Sequence, residues 1–237
     1  MNVSQLGYAG YLNDWLRVGR KNKSLTCQEL IPPNENFTLH ESLTVDPQPH
    51  PEFALYNRFL SSPGVIVTLN NGTVYPERGI IQTKEGYVII ELIDELAPLA
   101  LKSGWRPWIN QDKTKKCLKL KTLAVALHNP RNYYTWMGEM LSKFYLLMKS
   151  GHWKEIDHFL VADSLYNFQL ETFSAFGILN KILTVKMLKD IQAINARKII
   201  TVPTNKVLPK WGCSALRKGF SLFKLPPEKQ RDWQDLK

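Results

Sequence analysis

Leu123-Ala124-Val125-Ala126-Leu127, followed after a helical stretch by Phe159-Leu160-Val161-Ala162, is the reading that decides the fold. Both runs are continuously apolar and too short for a buried helix, so each is expected to be a strand covered on both faces. Between them, Asn132 stands where a helix N-cap belongs and Gly151 where a left-handed C-terminal cap belongs. Tyr133, Met137, Met140, Leu141, Phe144 and Leu147/Met148 recur at helical spacing, giving that helix one core face. The second strand follows the first by about 35 residues, the separation of a right-handed βαβ unit.

The alternation continues toward the C-terminus. Ser164 can cap a helix running through Phe176 and stopped by Gly177. Lys181-Ile182-Leu183-Thr184-Val185 and Lys198-Ile199-Ile200-Thr201-Val202 read as further strands, the last ended by Pro203. Residues 123–204 are therefore expected to form a Rossmann-like α/β domain with a mainly parallel sheet. In 205–237, Leu216, Phe220 and Phe223 mark an amphipathic helix from Trp211 to Phe223, and a polar tail follows Pro226-Pro227.

Upstream, residues 64–122 form a β-hairpin region and a basic loop. Val65-Ile66-Val67-Thr68-Leu69 is a strand pattern, and Asn70-Asn71-Gly72 supplies residues suited to a tight hairpin turn. Gly79-Ile80-Ile81-Gln82-Thr83, a turn at Lys84-Glu85-Gly86 and Tyr87 to Leu92 repeat the pattern, so 64–92 is expected to be a small β-meander. Lys102, Arg106, Lys113, Lys115, Lys116, Lys119 and Lys121 then form a like-charge run, ordinarily a solvated loop. Residues 1–63, broken by Pro32-Pro33 and the Pro47, Pro49 and Pro51 series, read as an irregular leader.

A content of 44% hydrophobic and 22% charged residues over 237 positions supports a packed core and argues against overall disorder. The net charge of +10 and pI near 9.4 predict attraction to anions: nucleic acid, acidic headgroups or phosphorylated sugars. Cys27, Cys117 and Cys213 are far apart, odd in number and without metal-site spacing, which favours free thiols in a reducing compartment. No apolar run is long enough for a transmembrane segment, and residues 1–25 lack a secretory pattern. A cytoplasmic location follows as the expectation, with the membrane periphery as its variant.

Ligands of open α/β sheets bind beyond the carboxyl ends of the strands, where His128-Asn129-Pro130-Arg131-Asn132 falls. Thr135, Glu139 and Lys143 follow at i, i+4 and i+8 as a polar stripe opposite the apolar helix face. The stripe is either a solvated edge or one wall of a pocket. In a pocket, His128, Arg131 and the helix N-terminus would attract a hydroxyl-rich or phosphate-bearing ligand, while Tyr133, Tyr134 or Trp136 would stack on a sugar. Nucleotide-binding, metalloprotease and serine-hydrolase motifs are absent, and the five histidines make no ligand cluster.

Asn132-Tyr133-Tyr134-Thr135-Trp136, Leu141, Leu146-Leu147, Ser150-Gly151 and Phe168-Gln169-Leu170-Glu171-Thr172-Phe173-Ser174-Ala175-Phe176-Gly177-Ile178, in this order, resemble glycosyltransferase family 61. Asn71-Gly72 and Gly79 to Thr83 extend the likeness upstream, so it covers about residues 55–223. The resemblance implies one half of a GT-B-type architecture, in which the first Rossmann-like half contacts the acceptor and the second binds a nucleotide-sugar. It implies inverting transfer of a sugar to a glycan or other acceptor, with no cofactor and no metal. A base takes the acceptor proton, and cations or helix dipoles steady the departing phosphate.

The chain departs from the family pattern at Thr135, where the family has His, and at Met140-Leu141-Ser142-Lys143, which replaces Leu-Pro-Arg while Lys143 keeps a cation. Threonine needs an activating group to act as a base, which leaves Glu139 as the catalytic candidate. His128, Arg131, Asn132, Tyr134, Thr135 and Lys143 are the candidate substrate contacts. Because the chain closes at Lys237, about where a second half would begin, the expectation is a truncated transferase with a separate donor-binding half as a possible partner. The alternatives are a non-catalytic carbohydrate- or partner-binding remnant and, third, a basic nucleic-acid-binding protein. Base-stacking aromatics are not interleaved with the basic run, which makes nucleic acid the least favoured partner.

Overall fold

The computed structural model of the protein describes residues 9–10, 24–31, 36–38, 58–60, 63–89, 92, 116–126, 136–162 and 165–203. The caps expected at Asn132 and Ser164, the basic residues before Lys116 and the helix expected at Trp211–Phe223 lie outside these residues.

The described strands are β1 (Ala9–Gly10), β2 (Leu25–Ile31), β3 (Asn36–Thr38), β4 (Arg58–Leu60), β5 (Gly64–Tyr75), β6 (Ile80–Gln82), β7 (Val88–Ile89), β8 (Lys116–Ala126), β9 (His158–Val161), β10 (Ile182–Thr184) and β11 (Ile191–Thr201). The described α-helices are α1 (Leu141–Lys149) and α2 (Asn167–Ala175). A nine-stranded sheet runs β1-β7-β6-β5-β11-β8-β9-β10, with β2 also paired to β5, while β3 and β4 pair separately. Its β11-β8-β9-β10 part is parallel throughout, whereas β5 is antiparallel to β11, β2 and β6. The fold is mixed α/β with mostly parallel central strands and few described helices.

The two apolar runs are the neighbouring parallel strands expected, with Leu123 opposite His158 and Ala126 opposite Val161. Asp157 fixes that register: its Oδ2 accepts from Thr122 N at 2.8 Å, and its own N donates to Thr122 O at 3.1 Å. Ala124, Ala126, Phe159 and Val161 join Trp136, Phe144 and Phe173 in a core on the helix side. Leu123, Val125 and Leu160 face a second core with Val67, Leu69 and Ile199. Two covered faces explain why these strands are apolar without alternation.

Helix α1 follows a π-helical turn, Trp136–Met140. Its end agrees with the expected cap: Ser150 N donates to Leu146 O at 2.8 Å, and Gly151 takes φ +79°. Gly177 likewise leaves α2 at φ +68°. At the start of α2 the described N-cap is Tyr166, whose N donates to Gln169 Oε1 at 2.9 Å.

Three expectations are corrected. First, Asn70-Asn71-Gly72 is not a hairpin turn but the middle of β5, which pairs with β11 on both sides of it. Asn71 takes φ +57°, and here the strand's other neighbour changes from β2 to β6. Gly72 is required by close approach instead: a Cβ there would lie 2.6 Å from Ile199 Cδ1. The meander still forms over 64–89, turning at Pro76–Arg78 and at Gly86, φ +88°. Second, Lys116, Lys119 and Lys121 are not loop residues but the first half of β8. Leu118 and Leu120 pack on the second core while Lys119 and Lys121 between them stay exposed. Third, the leader is not wholly irregular, since β2 lies in the main sheet.

Candidate functional site

Strands β8 and β9 end together in register at Ala126 and Val161, so the segments leaving them start at one sheet edge. Of the residues expected there, His128, Arg131, Asn132, Tyr134 and Thr135 lie outside the described residues. Glu139 is half-buried in the π-turn, and Lys143 is only 5% exposed on α1. The solvated polar stripe is therefore corrected: Ser142, Lys143 and Leu146 are buried along with Phe144 and Leu147, so α1 is covered on more than one side. Glu139 and Lys143 are each engaged by a partner, as a buried ammonium requires.

Trp136, 1% exposed, links the segments that carried the resemblance. Its ring meets Phe173 edge-on at 5.3 Å and Phe168 at 6.1 Å. Its Nε1 is buried with no acceptor among the described residues. Gln169 is buried holding the start of α2, and Thr172 donates its hydroxyl to Phe168 O at 2.7 Å. Tyr166 stands outward at 46% exposure, its ring parallel to Phe168 at 5.7 Å. An exposed aromatic face five residues beyond a parallel strand's carboxyl end is a platform on which a sugar ring can stack.

A second concave region lies midway along the sheet. Asn71 and Thr73 of β5, Asn195 and Arg197 of β11, and Lys119 and Lys121 of β8 line a cavity of about 590 Å³. Thr73, Asn195 and Lys119 form one row across the three strands. The pairs on either side place Asn71, Arg197 and Lys121 in the next. Thr73 Oγ1 donates to Asn195 Oδ1 at 2.9 Å, leaving the Asn195 NH2 as that amide's donor end. Among the described lining residues none is acidic.

Adjacent to this cavity along β11, Lys198 Nζ donates to Glu155 Oε1 at 2.6 Å and lies 3.4 Å from His152 Nδ1. Glu155 also contacts His152 Nδ1. The Lys198 hydrogen bond, helped by His152, holds the Glu155 carboxyl below its ordinary range. Lys119, Lys121, Asn195 and Arg197 were not among the candidates expected from sequence, although the Leu118-Lys119-Leu120-Lys121 alternation carries the signal for two of them. Among the described residues no group of three His, Cys, Asp or Glu is placed to hold a metal, and no helix is long and apolar enough to cross a membrane. Comparison of the chain with protein-family models, curated proteins and solved structures finds no match.

Proposed function

We propose that this chain is the acceptor-side part of a glycosyltransferase resembling family 61, with a Rossmann-like half of GT-B type that holds a glycan beyond β8 and β9. The supporting observation is the packing of Trp136, from the first segment of the resemblance, on Phe168 and Phe173, from the second. Two ordered stretches of sequence thereby form one structural unit packed on the helix side of β8 and β9, and open α/β sheets take ligands beyond the carboxyl ends of such strands. Tyr166 supplies an exposed stacking face and Glu139 the base; His128, Arg131, Asn132, Tyr134 and Thr135 are the further acceptor contacts in this reading. The donor in this reading is a nucleotide-sugar, bound by the second half of a GT-B-type architecture.

The test is oligosaccharide binding by calorimetry, together with nucleotide release from nucleotide-sugar donors, with and without a separately expressed donor half. Binding that falls about tenfold in Tyr166→Ala, and turnover lost in Glu139→Gln, are expected, a stacking contact of about 1.5 kcal/mol corresponding to that factor. Absence of both binding and turnover across the panel refutes the proposal.

A second reading, a carbohydrate-binding protein without transferase activity, is favoured by the structural use of the polar motif residues. Gln169 and Thr172 bond to backbone, and Lys143 is buried. Glycan binding with no turnover in the presence of a donor half selects this reading.

A further inference from the structure

We propose that the cavity across β5, β11 and β8 is a binding site for a small diphosphate-bearing ligand, separate from the sugar site at the carboxyl edge. Parallel-strand geometry puts Lys121 and Arg197 about 4.8 Å apart between strands, and Lys119 about 6.6 Å along the strand from Lys121. Three exposed cations thus border one concavity. Like charges directly opposite each other on neighbouring strands destabilise a sheet, so folding stability does not account for Lys121 facing Arg197. Edge protection does not account for Arg197, because β11 is flanked there by both β5 and β8, although among the described strands the 116–121 half of β8 is paired to β11 alone.

The sheet's own geometry opens this face. On β8, inward residues pass from Leu120 to Leu123, and on β11 from Ala196 to Ile199. On β5, the step is from Leu69 to Gly72, whose absent Cβ faces Ile199. Two residues intervene on each strand where strict alternation leaves one, and the slips fall in the same rows. Arg197 and Lys198 are the intervening pair on β11. Glu155 engages Lys198, while Arg197 borders the cavity.

Charge and shape choose the occupant. Three cations balance the charge of about −3 on a diphosphate ester at neutral pH. Asn71, Thr73 and Asn195 add hydroxyl and amide groups that can bond phosphate or ribose-like oxygens. The described lining has no aromatic on which bases could stack, which disfavours single-stranded nucleic acid.

Titration of the full chain with inorganic pyrophosphate by calorimetry at low ionic strength tests the site. Lys121→Gln and Arg197→Gln are each expected to weaken binding at least tenfold, the equivalent of one charge-assisted hydrogen bond. Lys189→Gln, exposed on the turn before β11, leaves it unchanged. Circular dichroism verifies that each variant is folded. Absence of pyrophosphate binding at millimolar concentration overturns the proposal, as does equal binding by wild type, Lys121→Gln and Arg197→Gln. Two further arms use a single-stranded oligonucleotide and phosphatidylglycerol vesicles; tighter binding of either that is lost in Lys121→Gln and Arg197→Gln reassigns the site and overturns the proposal. Loss of glycan binding in Tyr166→Ala with pyrophosphate binding intact separates this site from the sugar site.

Discussion

Gly72→Ala tests whether Asn70-Asn71-Gly72 is mid-strand. The new Cβ would sit 2.6 Å from Ile199 Cδ1 and 3.1 Å from the Gln82 carbonyl oxygen. Ile199 is fully buried, so its methyl cannot swing into solvent. Overpacking of this kind costs about 1–3 kcal/mol. Ile199→Val removes the obstructing methyl at a cost of about 0.5–1.5 kcal/mol on its own. The double variant is therefore expected to be less destabilised than additivity requires, with a favourable coupling on the order of 1 kcal/mol. Full relief is not expected, because the Gln82 oxygen remains. Urea denaturation of the wild type and three variants closes the cycle, provided each unfolds in two states. If Gly72 were a hairpin-turn glycine, its replacement would be costly through a positive φ, and Ile199 would be irrelevant. Additivity within about 0.5 kcal/mol, or a neutral Gly72→Ala, refutes the strand reading.

Trp136→Ala should cost about 3–5 kcal/mol by emptying the aromatic core, whereas Trp136→Phe, which keeps a ring and removes the indole N–H, should stay within about 1.5 kcal/mol. Equal losses in thermal unfolding would show that the N–H has a bonding role. Lys198→Gln should move the Glu155 titration upward, as followed by carboxyl NMR, because Lys198 is the main cause of its lowered pKa. A depressed carboxyl stabilises above its unfolded pKa of about 4.3, and that contribution disappears as pH falls through the folded value. Glu155 is 43% exposed, so solvent screening limits the effect to about 0.2–1 kcal/mol; an unchanged titration in Lys198→Gln would refute the pairing. Cys117, exposed, should react with a thiol reagent faster than Cys27, whose thiol is pushed up by burial and then by Glu29. Peptide mapping after brief labelling at neutral pH checks the order, and faster labelling of Cys27 refutes it.

How much of this fold was legible depended on how local its causes are. Leu123 to Ala126 and Phe159 to Val161 announced themselves because burial on two faces leaves no room for polar residues. Gly151 and Gly177 were readable because a left-handed residue after a helix is a local demand. Asn70-Asn71-Gly72 misled because the same residues serve a tight turn and a strand with one positive φ. Pairing with β11, more than a hundred residues away, decides between them. The lysines of β8 misled differently: counted as charge they make a loop, but taken alternately with Leu118 and Leu120 they make a strand covered on one face. His152 and Glu155 are joined locally, three residues apart across one 3-10 turn, but only tertiary structure brings Lys198 to them.

The candidate site shows the same division between local and distant causes. Gln169 and Thr172 belonged to the segment that suggested a transferase, yet their side chains bond to the backbone of α2 and its cap. Trp136 from that resemblance lies within the core. Residues so used preserve an architecture whether or not chemistry accompanies it, since a site is grafted on a fold and does not follow from it. Chemistry must then come from other groups, and among the described residues these include Glu139 in the π-turn and Tyr166 beyond β9, and Lys119, Lys121 and Arg197 across the sheet. Tyr166 can stack on an uncharged ring but cannot neutralise phosphate, whereas the three cations can neutralise phosphate but offer no stacking face. Glycan and pyrophosphate should therefore bind together, and a competitive titration of one against the other would collapse the two sites into one.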